Sequence, residues 1–172
     1  MPAATIMGLS TLGVKLAYAF EAEGYAGEKP RAFTTLDRIN SIGGITITPA
    51  TIDASALEDM VTKTVAGRGD TGGTWTITVN FTKETRIQWT TLINSYYGAN
   101  GAKSKGLGLW LEVLIPGISD LPEAGEASAF FVVCEPPTAI PLPEIGQNSL
   151  LTVEFPMVIV DPKGMLSVVA PT

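Results

Sequence analysis

Alternation with a period of two runs through this chain, and it sets the fold class before any other feature. In Val14–Phe20, Val14, Leu16, Tyr18 and Phe20 fall on one side, with Lys15, Ala17 and Ala19 on the other. Thr74–Phe81 is stricter. Trp75, Ile77, Val79 and Phe81 make an apolar face, and Thr74, Thr76, Thr78 and Asn80 a neutral polar one. Leu109, Leu111, Val113 and Ile115 alternate with Trp110, Glu112 and Leu114, and Leu151, Val153, Phe155, Met157 and Ile159 trace a last long strand. Successive side chains of a strand point to opposite faces, so each segment predicts a half-buried strand. Ile45–Thr48 (ITIT) predicts a further strand that Pro49 interrupts or places at an edge, and Pro156 confines the last strand to an edge or bulge. Ala127–Glu135 is more continuously apolar. Gly24–Pro30 and the prolines 136, 137, 141 and 143 mark irregular links.

One segment keeps helical spacing instead. In Lys83–Tyr97, Trp89, Leu92, Ile93 and Tyr96 recur at i, i+3, i+4 and i+7. Thr82 suits the N-cap, Glu84 the first turn and Gly98 the position after the last turn. The aromatic stripe reads as core. At 172 residues, the expectation is one mainly β domain over 1–172 with a single helix.

Charge is sparse and uneven. Asp, Glu, Lys and Arg make up 16% of the chain, and the net charge is −6. Residues 107–172 contain Glu112, Asp120, Glu123, Glu126, Glu135, Glu144, Glu154 and Asp161 against a lone base, Lys163. That half cannot grip nucleic acid, which needs Lys and Arg to displace counterions. Weakly charged surface in an apolar-rich chain points to surfaces covered by partners. No stretch is apolar for long enough to span a bilayer, and the first twenty residues lack a basic leader pattern.

Catalytic candidates are thin. The chain has no histidine, which removes the commonest general base and metal ligand, and Ser-His or Cys-His pairs with it. Cys134 is the sole cysteine and sits in an apolar run, so it reads as a small buried hydrophobe. Glu123 and Glu126 are close but flanked by Pro122 and Gly125, where solvated charge is the better reading. Gly98–Gly106 (GANGAKSKG) lacks phosphate-loop spacing and follows a helix rather than a strand. Neither an enzyme, a metal site nor a cofactor is expected. The Arg-Gly-Asp inside Gly67–Gly73 (GRGDTGG) is too short a signal to predict adhesion.

The segment 54–73 is more informative. It separates two predicted strands by more residues than structureless loops usually hold. Leu57, Met60, Val61 and Val65 are spaced through it, with Asp59, Lys63, Arg68 and Asp70 between. It can bury apolar groups, either on a neighbour or, as an extended hairpin, on its own domain.

The order of these features resembles the major tail tube proteins of long-tailed, siphophage-type bacteriophages. The likeness lies in FTTLDRINSIGGITITPATIDASALED (Phe33–Asp59), GRGDTGGTWTITVNFT (Gly67–Thr82), the helix that follows, LGLWLEVLI (Leu107–Ile115) and strands ending near Glu135 and Val160. It implies a β-sandwich or split barrel with a flanking helix, six copies to a ring, and rings stacked into a virion tube through which genome DNA leaves. Assembly would take place in the host bacterial cytoplasm, beside tape-measure, tail-tip and terminator proteins. Residues 54–73 would form the stacking loop, while the tail 161–172 either pairs further or forms a C-terminal arm. Thr46, Thr48, Thr74, Thr76, Thr78 and Asn80, with Glu112 and Glu154, would then line the lumen, offering hydration and no cation to DNA. Two alternatives stay open. One is a tube or terminator subunit of a secretion or contractile system. The other is a carbohydrate or adhesion module, with Trp110 as exposed binder or interface anchor.

Overall fold

The computed structural model describes residues 13–115 and 129–166. Among these residues nine strands and one α-helix follow in the order β1 (Lys15–Phe20), β2 (Thr34–Leu36), β3 (Ile39–Ile42), β4 (Thr48–Asp53), β5 (Thr64–Asp70), β6 (Thr74–Asn80), α1 (Lys83–Tyr97), β7 (Leu109–Leu114), β8 (Ala129–Glu135) and β9 (Thr152–Leu166), with a short 3-10 turn at Lys103–Lys105. The protein is therefore mainly β with one helix. Seven strands form one antiparallel sheet in the order β2-β1-β7-β8-β9-β6-β3, and β4 pairs with β5 alone.

The strand order forces the sheet to curl. Its two edge strands, β2 and β3, are joined by Asp37 and Arg38 only. Three Cα steps from Leu36 to Ile39 span at most about 11 Å. Seven strands laid flat would put those edges roughly 29 Å apart. The sheet must bring its edges together at this corner, as a split barrel does. Arg38 turns the corner with φ 56°, a left-handed conformation few non-glycine residues adopt. Gln88 of α1 braces it, accepting from Asp37 N (3.1 Å) and donating to the Asp37 carboxylate (2.6 Å).

β9 carries the curl on the opposite side. Thr152–Val158 pair with β6, and the stretch from Val158 to Leu166 pairs with β8 through two register shifts. Such bulges bend and twist a strand. The prediction that Pro156 sits at an edge or bulge holds only locally. β9 is internal in the sheet, but Pro156 faces Thr76 of β6 and lies outside the half that β8 pairs. No ladder bond on the β8 side is lost. Asp161–Leu166 continue this strand, the pairing alternative for the tail, and residues 167–172 lie outside the described part.

The concave face is the core. Leu16, Leu36, Trp75, Ile77, Val79, Leu109, Leu111, Val132, Cys134, Val153, Phe155 and Met157 fill it, closed by Trp89, Leu92, Ile93 and Tyr96 of α1. Trp89 stacks on Phe155 at 3.9 Å between ring centroids. The helix begins as predicted at Thr82, whose side chain accepts from Thr85 N while the Thr85 hydroxyl accepts from Thr82 N. Gly98 ends it, but not through a left-handed turn. Its φ is −60°, and an added Cβ would lie 2.6 Å from Asn94 O, so glycine is needed there for space.

The convex face holds a smaller cluster, and here one expectation is corrected. Trp110 is 2% exposed, packed with Ala129, Phe131 and Val133 beneath Phe33. Its Nε1 donates to the Glu21 carboxylate at 2.9 Å, which also accepts from Gly108 N. Residues 21–33 thus fold over a face that alternation alone leaves bare. Burial pushes the Glu21 carboxyl up, yet the bonds from Trp110, Gly108 and Gly27, with Lys163 nearby, bring it below the usual range.

Candidate assembly surfaces

β4 and β5 form an arm with strands of six and seven residues and no third strand. The expected strand Ile45–Thr48 and the expected loop 54–73 are both redrawn by this pairing. Residues 43–47 are irregular, the first strand runs Thr48–Asp53, and Thr64–Asp70 of the loop are β5. Pro49 is tolerated because a two-stranded ribbon has only edges. The arm is an extended hairpin, but its side chains do not pack on the domain: all of β4 is exposed, and in β5 only Gly67 is part-covered.

The tip is polar inside and apolar outside. Asp53 accepts from Ser55 N, the Ser55 hydroxyl accepts from Lys63 N, and Ala54 N donates to Lys63 O. The Asp59 carboxylate accepts from Ala56 N at 2.7 Å and pairs with Lys63. The Lys63 contact and then the Ala56 bond hold Asp59 below the usual carboxylate range. With its polar groups satisfied locally, the tip turns Leu57, Met60 and Val61 fully or largely into solvent, and Val65 and Ile52 follow along the strands. Ile52 and Ile47 were missed as arm residues because Pro49 broke the alternation that would have shown them.

The glycines of the arm serve two different needs. Gly67 and Gly69 do not require positive φ; they lie under side chains. A Cβ at Gly69 would meet Ile47 Cγ2 at 2.4 Å, and one at Gly67 would touch Ile52 and Ala50. Only Gly72 and Gly73, where the arm rejoins the sheet, take φ 78° and 77°. Arg68 and Asp70 of the Arg-Gly-Asp stretch lie in β5 near the arm's base, away from the tip, and Asp70 accepts from Gly72 N.

A second surface is the convex side of β3, β6 and the first half of β9. Thr74, Thr76, Thr78 and Asn80 share it with Glu154, which sits opposite Thr78. Asn40 donates to Asn80 Oδ1 at 3.0 Å, adding an amide from β3 that alternation did not reveal. The remaining predicted members lie elsewhere. Thr46 and Thr48 stand at the arm's base. Glu112 is on β7, half-buried opposite Ala17 and Phe131, and burial raises its carboxyl despite Lys29.

A third surface is the split itself. Where β3 leaves the β1–β7–β8 side, an apolar groove of about 820 Å³ opens, lined by Val14, Ile39, Ile42, Ile45, Ile115 and Phe130 among others. Among the described residues, no three His, Cys, Asp or Glu side chains gather to hold a metal. Glu123 and Glu126 lie outside the described part.

No family model matches the chain, and no curated protein matches it. Twelve chains of solved structures do match. One of them belongs to the cryo-EM structure of the anti-feeding prophage baseplate, described as 6-fold symmetrised. The TM-score is 0.52 at 10% identity, over 92% of this chain and 97% of that one. The fold is one found in a phage-derived baseplate. At that identity the likeness is of fold, and it spans nearly the whole of both chains.

Proposed function

We propose that this chain is a non-enzymatic structural subunit of a phage-type tail, which assembles with copies of itself into stacked rings around a channel. The observation that carries the reading is the arm: a preformed ribbon that satisfies its own polar groups and holds its apolar side chains out to solvent. A solitary protein gains nothing from that arrangement. Burying Leu57, Met60 or Val61 on a neighbour is worth roughly 1.5–3 kcal/mol per side chain. The ladder and the tip bonds already order the backbone, so less entropy is lost on contact.

Rings of six, a tail-tube role, and partners such as tape-measure, tail-tip and terminator proteins form the finer part of the reading. The 6-fold baseplate in which the fold recurs supports it. In this reading the Thr74/Thr76/Thr78/Asn80 face with Glu154 looks into the lumen. It hydrates well and offers DNA no cation, so DNA slides without specific binding. The virion is the place of work, after assembly in the host cytoplasm. The same likeness favours a second reading, a tube or baseplate subunit of a contractile system. The carbohydrate-binding alternative loses its main support, because Trp110 is buried.

Negative-stain imaging and sedimentation of the purified chain over a range of concentrations test the reading. Tubes, or rings of fixed symmetry, are expected. A chain that stays monomeric at every concentration and salt condition would overturn it.

A further inference from the structure

We propose that the arm tip of one copy seats in the apolar groove of the next, against Ile39, Ile42 and Ile45 on one wall and Val14, Ile115 and Phe130 on the other. The proposal rests on the self-assembly reading and adds the place where the arm docks. Four observations converge on it. The tip presents Leu57, Met60 and Val61 with no cover among the described residues. The groove is an apolar opening of about 820 Å³ whose walls come from those isoleucines and their partners across the split.

The same copy cannot supply both. Ile47, at the arm's base, lines the groove, and six ladder residues carry the tip about 20 Å away from it. Charge favours a second copy as the occupant. Glu58, next to Leu57, and Arg38, next to Ile39 on the groove wall, are exposed, and neither takes part in an ion pair among the described residues. Tip and groove are different patches of one chain, so their contact is head-to-tail and repeats from copy to copy.

The test uses the full chain under conditions in which it assembles. Met60→Cys is mixed with mass-labelled Ile45→Cys and mildly oxidised; the native Cys134 is buried and stays out of the reaction. A disulfide joining position 60 of one copy to position 45 of another, identified by peptide mass, is expected in the assembled mixture. Glu58→Lys and Arg38→Glu should each raise the concentration needed for assembly about two- to fivefold. Together they should restore the wild-type threshold. Assemblies that form without the 60–45 link, with charge changes that add instead of rescuing one another, would overturn the seat and leave self-assembly standing. So would a 60–45 link formed within single copies of the doubly substituted chain at high dilution. If the wild-type chain assembles under no condition, both the seat and the reading beneath it fall.

Discussion

Trp110 and Glu21 show how far one residue's meaning depends on a partner distant in sequence. From alternation, Trp110 faces outward on β7; in the fold it is sealed under residues 21–33, with its N–H on Glu21. The Glu21 carboxyl lies below its ordinary value of 4.5. A depressed acid contributes stability above its unfolded value, and that contribution is lost as pH falls through the folded one. Wild-type stability in urea should therefore drop on acidification below about 4.5. Glu21→Gln should cost about 1–3 kcal/mol at neutral pH and lack that part of the acid response. Glu112 has the opposite sign. Its raised carboxyl contributes stability at low pH, which is lost as pH rises through the folded value. Trp89 is a different case. Its indole N–H is buried and finds no hydrogen-bond partner among the described residues. Trp89→Phe keeps a ring over Phe155 and removes an unsatisfied donor, so a loss below about 1.5 kcal/mol is expected, against ~3–5 kcal/mol for Trp89→Ala. Chemical denaturation of both variants checks the pair.

Among the elements, α1 was legible to the residue, because its signals are local: spacing, an N-cap hydroxyl and a terminal glycine. The partner in the cap is Thr85, not the more usual Glu or Gln, so that half of the box was invisible. Thr82→Ala should cost about 1 kcal/mol in thermal or urea unfolding. The arm was half legible. Leu57, Met60, Val61 and Val65 were picked out, Ile47 and Ile52 were not, and neither was the strand pairing. Gly67 and Gly69 resemble a flexible loop in sequence, and only the cross-strand neighbours Ile52 and Ile47 show them to be strand positions. β9 is the third case. Proline argued for an edge or bulge, and the strand is internal, with Pro156 in the half that β8 does not pair, because its two halves are paired on opposite sides.

For the whole molecule, closure of the sheet at Asp37–Arg38 and its opening at the groove are two sides of one constraint. A two-residue link pins the edges together at one end, and β3 diverges toward the arm at the other. Stability and assembly should consequently separate. Replacing Leu57, Met60 and Val61 together by Ser should change unfolding free energy by less than about 0.5 kcal/mol per site, since all three are exposed. The same variant should remain monomeric in sedimentation at concentrations where the wild type polymerises. A variant that polymerises normally would show that the arm is not the contact.

Sequence alone determined the fold class, most strand and helix positions, and which side chains share a face, because pleat and helical periods repeat within a few residues. It also marked the Thr74–Asn80 face and four of the apolar residues of the arm, Leu57, Met60, Val61 and Val65. Only tertiary structure decided what covers each face. That choice is made by segments far apart in the chain, as when residues 21–33 bury Trp110, or when the corner at Arg38 curls seven strands into a split barrel and leaves a groove open among the described residues.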